Sequence, residues 1–217
     1  MGTRVVIVGA GGFGRNMYRW LLASPKHIAE ASVSELVFVD DGIPSVAPPT
    51  KLICTIDDYV PEANDEVLLA IGVPSIRQQV KDRLDLKGCR YHTFLADESV
   101  VTQGTLIGNG VIVCPGSVVA ADVTLGDHVH MNMNCSVGHD VKIGAMTTLS
   151  PAVNIMGEVW VGEAVFFGGS SVVLPRISVG DKALLGAGAV AICSVPSEAT
   201  VVGNPARIIS RETTFGK

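Results

Sequence analysis

This 217-residue sequence predicts two architectures in succession, a small parallel α/β unit at the N-terminal end and a β-solenoid after it. Two observations carry the prediction. Over about the first ninety residues, short apolar runs alternate with amphipathic stretches, the pattern of strands joined through crossover helices. Beyond them an apolar residue returns at every sixth position, from Val101 through Ile107, Val113, Val119 and Leu125 to Val179 and Leu185, without a miss.

In the first segment, RVVIVGA (residues 4–10) reads as a buried strand, and GGFGRNMYRWLLAS (11–24) as a turn feeding a helix. SELVFVDD (34–41) is a second strand and EVLLAIG (66–72) a third; PSIRQQVKDRL (74–84) is a helix opened by proline. The chain changes character between Lys87 and Leu95. The expected division is therefore 1–92 for the α/β, Rossmann-like domain, 93–195 for the solenoid, and 196–217 for a C-terminal tail.

Composition narrows the classes. With 47% hydrophobic and 17% charged residues the chain is globular, and a net charge of -5 supplies no basic footprint for nucleic acid or an anionic membrane. The five cysteines are odd in number, widely spaced and free of C-x-x-C, as expected of reduced thiols in a cytoplasm; neither disulfides nor a metal site is expected. The N-terminal apolar run is short and broken by glycines, and no stretch of about 18 apolar residues occurs. A soluble cytoplasmic protein without membrane insertion is the expectation.

The six-residue period fits neither the 3.6 of a helix nor plain strand alternation. It fits short strands joined by turns, stacked so that successive coils bury each other's inward residues. Glycine often follows the periodic apolar residue, as at Gly108, Gly126, Gly138 and Gly162, and a small or β-branched residue stands four places after it, as at Val111, Val141 and Ala183. An ordinary β-sandwich would not hold this register without interruption. The frame resembles the hexapeptide repeat of left-handed parallel β-helices, in which three hexapeptides make one triangular coil. The handedness is implied by that resemblance.

In the first unit Gly9, Gly11 and Gly14 form G-x-G-x-x-G between strand and helix, with Gly12 and Phe13 inside the loop. Glycines there let backbone N–H groups and a helix N-terminus approach phosphate oxygens, or else they only permit a tight turn. A dinucleotide is disfavoured, because no second mononucleotide half follows. Asp40 and Asp41, ending the second strand, are placed either to accept hydrogen bonds from a ribose or base or to form a solvated acidic turn.

Taken together, VGAGGFGR (8–15), VFVDD (37–41), LLAIG (68–72), NCSVGHDVKIG (134–144) and VVGNPAR (201–207) resemble the PglD/NeuD-type sugar acyltransferases of bacterial surface-glycan synthesis. The resemblance spans nearly the whole chain. It implies an N-terminal domain that binds a nucleotide-linked amino sugar, a homotrimer of solenoids, and acetyl-CoA in the groove between neighbouring solenoids. It also implies N-acetylation of a 4-amino-4,6-dideoxy sugar by direct transfer. His139 would then be the general base, a role suited to histidine's titration near neutrality, and Asp140 the acidic partner of the imidazole. Asn132 would orient acceptor or cofactor, the Gly157 N–H would face the thioester carbonyl, and Ala187, Gly188, Gly203 and Arg207 would lie along the cofactor.

The six-residue frame supports part of this independently. His139 falls two places after inward-facing Val137, so its side chain is expected at a turn on the outer surface; a solvated turn histidine is the plain alternative. Cys135 occupies a wall position of the repeat and is expected to be buried rather than nucleophilic. Two departures from the family pattern bear on the acceptor: Thr148 replaces a second histidine, and Phe13 stands where some members have a histidine that touches the sugar. O-acetylation of a sialic-acid-like sugar and a non-catalytic sugar-binding trimer remain alternatives. A metal-dependent hexapeptide enzyme built on His128, His130 and His139 is disfavoured, because the H-x-x-x-x-H spacing is absent.

Overall fold

The computed structural model describes residues 2–210. The chain divides after Asp97 into two compact units. Residues 211–217, the end of the expected C-terminal tail, lie outside the described residues. Thr93–Asp97, assigned from sequence to the solenoid, group with the first unit. Here the Asp97 carboxylate accepts the N–H groups of Lys26 and His27 at 2.8 and 3.0 Å, tying the segment to the start of a short helix.

The first unit is built from β1 (Thr3–Val8), α1 (Gly12–Leu22), α2 (Pro25–Glu30), β2 (Val33–Val39), β3 (Leu52–Cys54), β4 (Asp65–Leu69) and α3 (Pro74–Asp85). Helix α2 and strand β3 were not foreseen from the sequence; each is too short to show a period. The sheet is parallel with order β3-β2-β1-β4. A parallel sheet is covered on both faces, which is why its strands are continuous apolar runs. On one face Val6, Val8, Val37, Val39, Val67 and Leu69 pack with Val80 and Leu84 of α3. On the other, Val5, Ile7, Phe38 and Leu68 are buried with Met17 and Leu21 of α1, and the Tyr18 and Phe38 rings meet at 6.1 Å. At the opposite end from the strands' carboxyl termini, Arg4 grips Asp65 through two bonds of 2.7 and 2.8 Å. Burial opposes ionisation of Asp65, but Arg4, the Glu62 N–H and the Tyr59 hydroxyl together hold its carboxyl below the usual range.

In the second unit two-residue strands cycle around three parallel faces. The first face contains Val118–Val119, Ser136–Val137 and Asn154–Ile155, the second Thr124–Leu125, Lys142–Ile143 and Trp160–Val161, the third His130–Met131, Thr148–Leu149 and Leu184–Leu185. Up to Val172–Val173 each strand from Val100–Val101 that pairs onward does so with the one 18 residues on, as Ser136 does with Asn154 and Val137 with Ile155, while Leu184–Leu185 pairs with Thr200–Val201. The six-residue frame is the interior: from Val113 to Leu185 every residue of the frame is buried. Every sixth residue from Gly104 to Gly188 has a positive φ, including His128, Asn134, Asp140 and Glu158. That left-handed residue turns each corner, and Asn and Asp tolerate it better than most side chains.

Candidate functional site

In the first unit the chain order of the sheet reverses at β1. From β1 the chain moves to β2 on one side while β4 lies on the other, so the loops after β1 and β4 diverge at their carboxyl ends, the usual ligand position in open α/β sheets. The glycines of the first loop separate into two kinds. Gly9 has φ +103°, and a Cβ on Gly14 would overlap the Gly9 carbonyl oxygen, so these two are demanded by the strand-to-helix turn. Gly11 has an ordinary φ of -67°. A Cβ there would meet nothing within 4 Å, and one on Gly12 would reach only the Arg15 guanidinium at 4.0 Å. Their missing side chains leave open space in front of the α1 N-terminus.

Asp40 and Asp41 are both engaged with protein donors. Asp40 accepts the Ala10 N–H at 2.6 Å and the Gly42 N–H at 2.8 Å, fastening the glycine loop to the end of β2. Asp41 accepts the Ile56 N–H at 2.8 Å and the Arg83 guanidinium at 2.6 Å, and Arg83, also bonded to Asp57, holds the Asp41 carboxyl below the usual range. Phe13 stacks edge-on with Trp20 at 6.5 Å. Sequence reasoning missed Arg15 as a site residue: its guanidinium donates to the Ala10 carbonyl at 3.3 Å, which keeps a cation against the loop. The signal was present in its place on the first turn of α1.

In the solenoid, His139 and Asp140 stand at the corner between the first and second faces with side chains 63% and 59% exposed. Imidazole Nδ1 lies 2.7 Å from Asp140 Oδ2. A carboxylate only accepts, so Nδ1 carries the proton and Nε2 presents its lone pair. The ring lies over Gly157, one coil on, where a Cβ would come within 2.7 Å of Nε2 and 2.9 Å of Cε1. Gly157 is therefore glycine because the imidazole rests on it. Its N–H donates to no acceptor among the described residues. Cys135 is buried as expected: its Sγ points at the Ser150 carbonyl at 3.2 Å, and burial pushes the thiol up to about 11.

The remaining sequence-predicted residues are not beside His139. Asn132, Ala187 and Gly188 follow strands of the third face and turn into the first, one corner away around the coil, while Gly203 lies in the turn between Thr200–Val202 of the third face and the strand Arg207–Ser210 that pairs back on it antiparallel. The Asn132 side chain accepts the Met133 N–H at 2.9 Å. Gly203 has φ +94°, which its turn requires, while Gly188 at +67° shares its conformation with non-glycine residues of other coils. Arg207 is exposed and, with Cys193, Pro196, Ala206 and Ile208, lines a cavity at the end of the solenoid. His128 and His130 are buried, away from exposed His139, so the three histidines do not converge. Among the described residues no group of three or more His, Cys, Asp or Glu side chains is placed to hold a metal.

Comparison with known proteins agrees with this fold. The family model of the PglD N-terminal domain matches residues 4–84. A GDP-perosamine N-acetyltransferase of Escherichia coli O157:H7 is 30% identical over 199 residues, covering 91% of this chain and 81% of that protein. The chain belongs to the PglD/NeuD-type family of sugar acetyltransferases. Among solved structures, the acetyltransferase domain of PglB from Neisseria gonorrhoeae superposes with TM-score 0.87 at 26% identity over 96% of this chain and all of that one. The same domain is also known in complex with acetyl coenzyme A, at 27% identity and TM-score 0.86. PerB from Caulobacter crescentus, in complex with CoA and GDP-perosamine, matches with TM-score 0.83 at 28% identity over 97% of this chain and 98% of that one. As in that family, the chain is an acyltransferase whose α/β unit precedes a left-handed β-helix. No helix among the described residues is long and apolar enough to cross a membrane.

Proposed function

We propose that the protein transfers acetyl from acetyl-CoA to the amino group of a nucleotide-linked 4-amino-4,6-dideoxy sugar, with His139 as general base. The observation that carries the reading is the stack of His139 on Gly157, with Nδ1 held by Asp140 and Nε2 free. The sugar's ammonium group must first lose a proton to become nucleophilic. As the amine attacks the thioester carbon, Nε2 takes its second proton and the imidazolium is stabilised by Asp140. The carbonyl oxygen acquires negative charge that the unpaired Gly157 N–H is placed to accept. Collapse of the tetrahedral intermediate expels the CoA thiolate, which the imidazolium reprotonates. Cys135, at the start of the first-face strand that His139 follows, is buried and pushed toward the neutral thiol, which favours direct transfer over an acyl-enzyme.

The crevice between the loops after β1 and β4 is the proposed seat of the nucleotide diphosphate, with the α1 N-terminus, Gly11, Gly12 and Arg15 facing it. Relatives that act on or bind GDP-perosamine place a GDP-linked amino sugar first in the acceptor panel. Ala187, Gly188 and Gly203 would serve the cofactor from a neighbouring copy's corner, since within one chain they lie away from His139. Free CoA release should be followed with acetyl-CoA and GDP-, UDP- and dTDP-linked 4-amino sugars, for wild type and His139→Ala. Release with one amino sugar, absent for its hydroxyl counterpart and lost about a thousandfold in the variant, is the expected result. Binding of acetyl-CoA without turnover of any amino sugar would redirect the search to hydroxyl acceptors.

A further inference from the structure

The second face of the solenoid carries a large aromatic side chain that the proposed reaction does not use. Trp160 is 50% exposed and stands in an outward row with Thr124, Lys142 and Ser178. An indole left in water forgoes the gain of burying one of the biggest apolar side chains. Among the described residues its ring meets no other ring and its N–H no acceptor, and the Lys142 ammonium beside it has no acceptor either. Trp160 walls a groove of about 490 Å³ with Lys142, Gly162, Glu163 and Asp181, a volume in the range of small-molecule sites. Asp181 is fixed there: its Oδ1 accepts the Glu163 N–H at 2.9 Å, and a Cβ on Gly162 would collide with the same oxygen. Among the described residues, Asp181 Oδ2 and the Glu163 carboxylate accept no hydrogen bond.

The register sets this groove beside the His139 corner. Trp160 stands three residues after Gly157 and Lys142 three after His139, and the two pair across one coil just as the imidazole rests on Gly157. Three residues span at most about 10 Å, so the groove begins within the reach of one sugar ring from the imidazole. Its walls have the chemistry of a saccharide site. The indole can cover the C–H face of a pyranose and the C6 methyl of a 6-deoxy sugar, while a free ammonium donates to the ring hydroxyls and free carboxylates accept from them. Two carboxylates against one ammonium repel a phosphate, so the groove suits the sugar and neither its diphosphate nor that of CoA.

We infer that the groove of Lys142, Trp160, Glu163 and Asp181 is the subsite for the acceptor's 6-deoxypyranose ring, with Trp160 selecting a C6 methyl over a C6 hydroxyl. This subsite rests on the proposed transfer, with His139 as its base. Trp20 and Trp160 are the two tryptophans of the chain, so a Trp20→Phe background leaves Trp160 as the sole indole reporter. In the full-length protein its emission is titrated with GDP-, UDP- and dTDP-linked 4-amino-4,6-dideoxy sugars, with the nucleoside diphosphates alone, and with acetyl-CoA. Steady-state kinetics and size-exclusion chromatography of Trp160→Ala and Trp160→Phe complete the test.

The expected result is an emission change with the amino-sugar nucleotide that is turned over and none with its nucleoside diphosphate. The KM for that sugar nucleotide should rise about tenfold in Trp160→Ala, with partial recovery in Trp160→Phe and an unchanged KM for acetyl-CoA. Wild type should prefer the 6-deoxy acceptor to its 6-hydroxyl counterpart about tenfold in kcat/KM, and Trp160→Ala should lose that preference. An emission that ignores the sugar, or an unchanged KM and preference in Trp160→Ala, overturns the inference. So does a response to acetyl-CoA alone with a raised KM for it, which would give the groove to the cofactor, or an altered oligomeric state in both variants, which would make this face a contact between copies. If wild type turns over no amino-sugar nucleotide, the proposed transfer falls and the subsite with it, an outcome distinct from turnover that Trp160→Ala leaves unchanged.

Discussion

At the scale of single residues, two contacts decide measurable behaviour. Gly157 has room for no side chain because the His139 imidazole occupies that space, and its own backbone conformation does not demand glycine. Gly157→Ala should therefore push the ring off its perch at an exposed corner. Activity is expected to fall about a hundredfold, as for a misplacement of about 1 Å, while the thermal midpoint stays within a few degrees of wild type; equal activity in the alanine variant would sink the stacked arrangement. The second contact is between His27 and His92, whose Nε2 atoms are 2.9 Å apart while His92 Nδ1 meets Glu66 at 2.8 Å. Glu66 accepts from Nδ1, so His92 Nε2 is the acceptor and His27 Nε2 the donor, an arrangement that needs the His92 ring neutral. Burial, and then the neighbouring His92, lower the His27 pKa to about 4 against the opposing pull of Asp97, and burial lowers that of His92 against Glu66. Because the unfolded chain takes up these protons near 6.5 and the folded chain does not, stability is full above that value and is lost as pH falls toward 4. Solvent screening of the half-buried His27 brings the loss to about 1–2 kcal/mol. Urea midpoints at pH 7.5 and 5 should show it, and His27→Gln should flatten the difference; a flat wild-type profile would refute the assignment.

At the scale of elements, the glycine loop shows how one motif mixes two demands. Gly14→Ala would drive a methyl into the Gly9 carbonyl and should cost about 1–3 kcal/mol of stability. Gly11→Ala has space and an ordinary φ, so stability should stay within about 0.5 kcal/mol while the KM for the nucleotide sugar rises. Circular dichroism melts alongside kinetics separate the two, and a Gly11→Ala enzyme with unchanged KM would remove this loop from the binding site. Such differences are invisible in the string G-x-G-x-x-G, because they depend on what stands across from each Cα. The solenoid was legible almost completely: Val113 through Leu185 are interior because a strict period leaves them no other place. His139 was legible as an outer turn residue by the same count. Arg77 was overlooked among the charges of its helix, although Pro74, Arg77, Val80 and Leu84 fall on one stripe. A period identifies the stripe, but only the packed sheet beside it shows that an arginine on that stripe is drawn inward to loop carbonyls.

At the scale of the whole molecule, the proposed site residues fall at two corners of the coil, which bears on the assembly the proposed reaction would need. His139, Asp140 and Gly157 turn from the first face into the second, whereas Asn132, Ala187 and Gly188 turn from the third into the first. Under the proposed reading, in which both corners serve the same acetyl-CoA, the two sets of residues would come from different copies. A closed ring of three identical solenoids meets this condition, because each copy offers its His139 corner to one neighbour and its Asn132 corner to the other. Each variant carrying a single damaged corner should be inactive by itself in every site. In a mixed trimer of His139→Ala and Asn132→Ala chains, one groove combines an intact His139 from one chain with an intact Asn132 from the next. Trimers containing both chains should then restore about a third of wild-type activity, since each contains one intact groove in three. Co-expression of the two variants under separate affinity tags, followed by tandem purification and CoA-release assay, measures this. Restored activity would show that the acetyl-transfer site is shared between copies. Mixed trimers as inactive as the parents, with Asn132→Ala alone confirmed inactive, would place both residues in service of one chain and overturn the shared groove.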